Sequence, residues 1–310
     1  MSSDAPVQNL PPWLVRAFYG RYGVRSGWRI ALWTGTFVFV FASLMLLLNA
    51  AGVPQGLEAV TSAELVAALV AGWGTLAVLD RRPLGALGYP ADRAAPRDTG
   101  LGFALGGGAI ALAAVVLTVA GTVRWVADSG TWPEYVAALA RALLLFTVAA
   151  AAEEAMFRGY AFQALVQGIG AWPAVLASSA LFAVAHLGNP NVDAVGLANI
   201  FLAGVMLGWA YLRTRSLWFA TGVHVGWNWT MSALLDFPVS GLVRDTPLYD
   251  VAAVGPRWMT GGSFGPEAGV PGTVVIVLLL VLFLWAPWVR ESATMRGLRP
   301  LVDDRLGEGR

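Results

Sequence analysis

The sequence has no cysteine and no lysine. Without cysteine there is no disulfide, no thiolate nucleophile and no cysteine metal site. All 20 basic residues are therefore arginine. Charge as a whole is scarce: 13% of the 310 residues are charged, where a soluble domain carries about 25%. The formal net charge of +1 gives no footing for nucleic acid. Histidine is nearly missing as well, with only His186 and His224, both in apolar segments. What is abundant is hydrocarbon, at 57% hydrophobic residues and a mean hydropathy of +0.64. That balance points to a membrane protein.

A helix needs about 20 apolar residues to cross a bilayer. Apolar runs near 30–49, 62–79, 101–121, 135–167, 173–188, 194–212, 217–235 and 272–289 lead us to expect an all-α, polytopic transmembrane helix bundle of about eight spans. An even number of spans puts both termini on one side. The N-terminal segment, the 80–100 loop, the Arg213/Arg215 turn and the tail hold 15 arginines; the opposite loops hold only Arg124, Arg244 and Arg257. The positive-inside rule then makes both termini cytoplasmic. The organisation that follows is a cytoplasmic segment over 1–29, three flanking helices over 30–134, a four-helix core over 135–235, an external loop over 236–271, and a last helix and tail over 272–310. The Thr61–Glu64 stretch reads as a capping box at a helix start. Gly204/Gly208 and Gly222/Gly226 read as small-residue faces for close helix packing.

The chemistry concentrates in Val148–Tyr160, VAAAAEEAMFRGY. Glu153 and Glu154 follow an uncharged run from Leu143 to Ala152. An ionisable group at such a depth costs roughly 2.5–3.5 kcal/mol or more and is suspected of function. Glu154 and Arg158 stand at i and i+4 with the acid first, the favourable order for a pair. Glu153 is rotated about 100° away, so it lacks a partner in its own helix. Counting about 1.5 Å of rise per residue, Glu154 and His186 lie equally far from a turn near Gly170. His224 and Asn228 share a helix face, roughly 13–20 Å from the arginine-bearing turn at 215. Three spans thereby bring polar groups to one level, nearer the cytoplasmic side.

An acid, two imidazoles and an amide suit the activation of water. A desolvated glutamate can serve as general base, and His or Asn donors can hold an oxyanion. Alternatively the imidazoles bind Zn²⁺, which would acidify the water. Both accounts stand on the sequence. The zinc motif His-Glu-x-x-His and the Gly-x-Ser-Gly and Gly-x-Gly-Asp signatures of other intramembrane hydrolases are missing.

Glu153-Glu154-x-x-x-Arg158, Phe182-x-x-x-His186 and His224-x-x-x-Asn228, in that order, resemble the three motifs of the CPBP family, the type II CAAX prenyl endopeptidases and their bacterial Abi relatives. The resemblance covers about 135–235. It implies an α-helical intramembrane endopeptidase, described either as a metalloprotease or as a metal-independent glutamate protease. It makes Glu153 the water-activating base with His186 assisting, His224 and Asn228 an oxyanion hole, and Glu154 with Arg158 supporting groups. A zinc or other divalent ion would be held by His186 and His224. The implied partners are the lipid bilayer and a membrane-associated protein or peptide, prenylated in eukaryotic members, cleaved near the cytoplasmic leaflet of, in this chain, a bacterial inner membrane. Two other functions compete. One is a non-catalytic immunity or scaffolding protein whose motif residues hold the bundle together. The other is a proton-coupled transporter, which intramembrane acids favour but unbroken spans without inverted repeats do not.

Overall fold

The computed structural model describes residues 11–244 and 246–307. The first ten residues of the expected cytoplasmic segment, and Arg310 of the tail, lie outside the described residues. A short helix α1 (Pro12–Phe18) and the two-residue strands β1 (Tyr19–Gly20) and β2 (Gly23–Val24) lead into α2 (Ser26–Ala50) and α3 (Leu57–Leu79). Next come α4 (Ala94–Val119), β3 (Val123–Ala127), α5 (Trp132–Phe157), α6 (Tyr160–Ile169), α7 (Ala171–Ala185), α8 (Ala194–Thr214) and α9 (Leu217–Trp229). The chain closes with β4 (Tyr249–Ala253), α10 (Arg257–Thr260), α11 (Val270–Trp285), α12 (Ala293–Leu298) and α13 (Val302–Leu306). The fold is the expected helical bundle.

Each expected apolar run is a helix, but not all are of bilayer length. Ser26–Ala50, Leu57–Leu79, Ala94–Val119, Trp132–Ile169 (α5 with α6) and Ala194–Thr214 are long and apolar enough to cross. Helices α7, α9 and α11 are shorter, with 15, 13 and 16 residues. The long run expected near 135–167 is divided. Helix α5 ends at Phe157 with Arg158 as its C-cap, and Gly159 follows, where a Cβ would overlap the Ala155 carbonyl oxygen. Helix α9 continues as a π turn over Thr230–Leu234.

One expectation fails. Thr61–Glu64 is not a helix start: α3 begins after Gly56, and the Thr61 hydroxyl donates to the Leu57 carbonyl one turn earlier. The capping box lies instead at the head of α5, where Thr131 N–H donates to Glu134 at 2.8 Å. A Ser/Thr-x-x-Glu pattern inside an apolar run competes with helix continuation, and the continuous apolar flank wins here.

The small-residue faces do what their spacing predicts. On α9, a Cβ at Gly222 or Gly226 would overlap the carbonyl oxygens of Thr99 and Phe103 on α4; in return, Gly102 and Gly106 leave room for the Phe219 and Val223 carbonyls. The two backbones approach as closely as small residues permit. Gly204 packs in the same way against Ser179 of α7.

The arginine-rich segments gather at one end of the bundle. Arg29 pairs with Asp80 at 2.9 Å and donates to Gln167 at 2.7 Å, and Tyr160 also donates to Asp80. The tail folds back: Asp303 pairs with Arg215 and Asp304 with Arg82, while Leu301 and Val302 are buried. At the other end β3 pairs with β4 antiparallel, tying the 236–271 loop to the α4–α5 connection.

The α4–α9 contact makes a direct prediction. Gly226→Ala forces two backbones apart and should cost about 1–3 kcal/mol by overpacking. Gly108→Ala, where nothing lies within 4 Å of the new Cβ, should leave stability unchanged or slightly raised. Thermal unfolding of the two detergent-solubilised variants checks this.

Candidate active site

The site begins with a carboxylate that has no exposure. Glu154 is fully buried, and its Oε1 accepts from Arg158 Nη1 at 3.0 Å. The same Oε1 lies 3.0 Å from His224 Nδ1 on α9. Arg158 is 1% exposed; its Nη2 donates to the Gly204 carbonyl at 3.2 Å, and its guanidinium stacks 4.6 Å from the Phe182 ring. Pairing within α5 therefore extends to α7, α8 and α9. An acid and a base at i and i+4 on a helix end pinned by Gly159 are what this local sequence builds.

Glu153 points elsewhere, as the rotation along the helix requires. Its Oε2 lies 3.7 Å from His224 Nε2 and accepts no hydrogen bond among the described residues. His224 thus stands between the two glutamates, one at each ring nitrogen. His186 occupies the C-cap of α7, where its Nδ1 lies 2.8 Å from the Phe182 carbonyl. A carbonyl only accepts, so Nδ1 carries the proton there and Nε2 is left as the proton-accepting nitrogen. The Phe182 ring lies 4.6 Å from the His186 ring and 6.2 Å from that of His224, forming an apolar wedge beside both imidazoles.

Glu153, His186, His224 and Asn228 all line one cavity of about 430 Å³. Glu154 and Arg158 stand behind its wall. All six residues singled out from the sequence are thereby brought to one place, in two layers. Apolar side chains such as Phe37, Phe41 and Met156 line much of the remainder. The cavity also reaches Leu57, Ser240 and Leu242, toward the end of the bundle away from the arginines.

Two lining acids escaped the sequence reading. Glu64 of α3 shares the cavity with Glu153. The argument applied to Glu153, an ionisable side chain within an apolar helix, applies equally to Glu64; the capping-box reading hid it. Glu267 comes from the 236–271 loop, which carries no sequence signal for it. Its carboxylate accepts from Trp227 and Ser240.

A divalent ion held by His186 and His224 is tested by the donor set. Among the described residues, no group of three or more His, Asp or Glu side chains comes together to hold a metal ion. Each imidazole spends its Nδ1 on an oxygen, of Phe182 and of Glu154, so Nε2 is the nitrogen left to either one for a ligand. The described residues thus offer two imidazoles but no three-ligand set of the kind a catalytic zinc takes, and we derive no step through a metal.

The fold and this cavity define a polytopic helical membrane protein with a buried acid–imidazole–amide site. Residues 135–230 match the family model described as type II CAAX prenyl endopeptidase Rce1-like, which bears out the CPBP resemblance over that stretch. At the level of the family, the match supports an intramembrane protease of the CAAX type acting on a membrane-associated protein. A search of curated proteins gave no match.

The two layers predict different losses. Arg158→Ala leaves Glu154 buried without its cation and should destabilise the fold by about 3–5 kcal/mol. Glu153→Gln, in a group with no strong partner, should change stability by less than about 1 kcal/mol. Equal melting temperatures for the two variants would count against this division.

Proposed function

We propose that this chain is an intramembrane endopeptidase in which Glu153 activates water without a metal. The observation that carries the reading is Glu153 itself, a carboxylate with one unpartnered oxygen, lining a largely apolar cavity together with His186, His224 and Asn228. Glu153 takes a proton from a water held between it and His186 Nε2. The hydroxide adds to the scissile carbonyl, and the new oxyanion accepts from the Asn228 amide and from His224. His224 can donate there only as an imidazolium, since one of its N–H groups faces Glu154. As the C–N bond breaks, the proton held by Glu153 passes to the leaving amine. Glu154 and Arg158 keep His224 in place throughout.

The substrate is a membrane-associated polypeptide that lies along the apolar wall with its scissile bond over Glu153. The largely apolar lining suits a chain bearing a lipid, and a prenylated CAAX-like tail is the family's own example. The arginine-rich end faces the cytoplasm, in keeping with the charge asymmetry, and the host membrane is the bacterial inner membrane.

The test is turnover of internally quenched peptides, with and without farnesylcysteine, by the purified chain in phospholipid vesicles. Cleavage of one of them by the wild type, falling at least about 100-fold in Glu153→Gln and in His186→Ala, is expected from the scale of general acid–base catalysis. Chelator treatment should leave the rate unchanged, and the purified protein should hold less than one equivalent of zinc. Wild-type rates in both variants would overturn the assignment, as would cleavage of neither peptide.

A further inference from the structure

Glu267 lies outside residues 135–230 and outside every motif named above, yet it connects with both imidazole-bearing segments. Its Oε1 accepts the Trp227 indole N–H at 3.0 Å. Its Oε2 accepts the Ser240 backbone N–H at 2.7 Å and the Ser240 hydroxyl at 2.8 Å. The Ser240 carbonyl then accepts from the Asn189 side-chain amide at 3.1 Å. Trp227 sits immediately before Asn228 and three residues after His224. Asn189 sits three residues after His186. The series Asn189, Ser240, Glu267, Trp227 therefore runs without a gap from the segment holding one imidazole to the helix holding the other.

The bracket is itself anchored. The Glu267 carbonyl accepts from Asn199 of α8 at 2.7 Å, and Asn199 in turn accepts from Thr273 of α11 at 2.9 Å. Trp227 and Ser240 are buried, and Glu267 itself is partly buried on the cavity wall. Three donors on one carboxylate make charge-assisted bonds, roughly twice as strong as neutral ones. The turn that presents Ser240 is tight: Ser240 has φ +48°, and Gly241 has φ +83° with no room for a Cβ against the Pro190 carbonyl. Such a bracket is needed because His186 is a cap residue at the very end of α7. Its side chain is held locally by the bond to Phe182, and its backbone by bonds to Ala183 and Asn189.

We propose that Glu267 is a positioning residue that sets the separation of His186 from His224 and Asn228. The loop over 236–269 thereby completes the active site and does not merely cover it. Glu267 acts through Trp227 on one side and through Ser240 and Asn189 on the other. This rests on the hydrolase reading, and the experiment keeps the two apart.

The test uses the full chain in phospholipid vesicles with whichever quenched peptide the wild type cleaves. Glu267→Gln puts an amide NH₂ where an N–H or O–H donor now points, so at least one link of the bracket must open. Its kcat should fall about 10- to 100-fold, the scale of a misplacement of about 1 Å, with KM within about twofold and the melting temperature within a few degrees. Trp227→Phe and Asn189→Ala each cut one link and should lower kcat in the same way. The double variant Glu267→Gln/Trp227→Phe should lose less than the product of the two single losses, because both remove one shared bond. A wild-type kcat in Glu267→Gln overturns the proposal, and so does a raised KM at unchanged kcat, which would mark a substrate contact. Should Glu267→Gln not fold, wild-type kcat in both Trp227→Phe and Asn189→Ala overturns it equally. Glu153→Gln is run in parallel: if it too turns over at the wild-type rate, the hydrolase reading has failed, and the bracket falls with it.

Discussion

A carboxylate buried at zero exposure among membrane helices has to be compensated, and the compensation of Glu154 organises this molecule. Arg158 supplies the opposite charge one turn away, and His224 supplies a second contact from α9. Removing either ion from water is costly, and only close geometry with further hydrogen bonds offsets that cost. Arg158 meets part of the requirement by reaching the Gly204 carbonyl and the Phe182 ring, while its Nε and Glu154 Oε2 have no hydrogen-bond partner among the described residues. One pair on one helix thus recruits three other helices. The imidazole fixed on Glu154 is the one whose second nitrogen faces Glu153.

The bundle accommodates this polar centre by unusually close backbone contact elsewhere. Helix α9, which carries His224 and Asn228, has its glycines turned toward α4, where carbonyl oxygens fill the space a side chain would occupy. Tight packing on the far face steadies a short helix whose near face is polar. In hydrocarbon, association relies on such close packing and on interhelical hydrogen bonds, because apolar burial drives nothing. The arginine-rich end works by a different principle. There Arg29, Asp80, Gln167 and Asp304 form a continuous polar network that draws the C-terminal tail onto the bundle. The molecule is therefore clamped by ions at one end and by a short antiparallel ribbon at the other, with the apolar cavity between.

The site has a division of labour that follows from helix geometry. Adjacent residues on a helix face directions about 100° apart, so of two consecutive glutamates one can be spent on structure while the other borders a cavity. The Phe182 ring packs against both imidazoles, and the backbone bond to His186 selects which of its nitrogens accepts. The third layer comes from the loop: Glu267 gathers Trp227 and Ser240 and is held by Asn199.

Much of this was legible along the chain. Charge poverty and apolar runs determined a helical membrane bundle, and the asymmetry of arginine grouped the segments that do meet at one end. Periodicity alone paired Glu154 with Arg158 and separated Glu153 from both, because i and i+4 neighbours are set by local helical geometry. The spacing of small residues foretold the α4–α9 and α7–α8 contacts from one side only. Tertiary structure decided the rest. The break at Gly159 and the shortness of α7 and α9 depend on what packs around them, and hydropathy cannot report that. Glu64 read as a cap because its four-residue pattern is ambiguous until a helix extends past it on both sides. Glu267 had no pattern at all, since a loop residue has no periodicity and acquires its partners, Trp227 and Ser240, only through contacts distant in sequence.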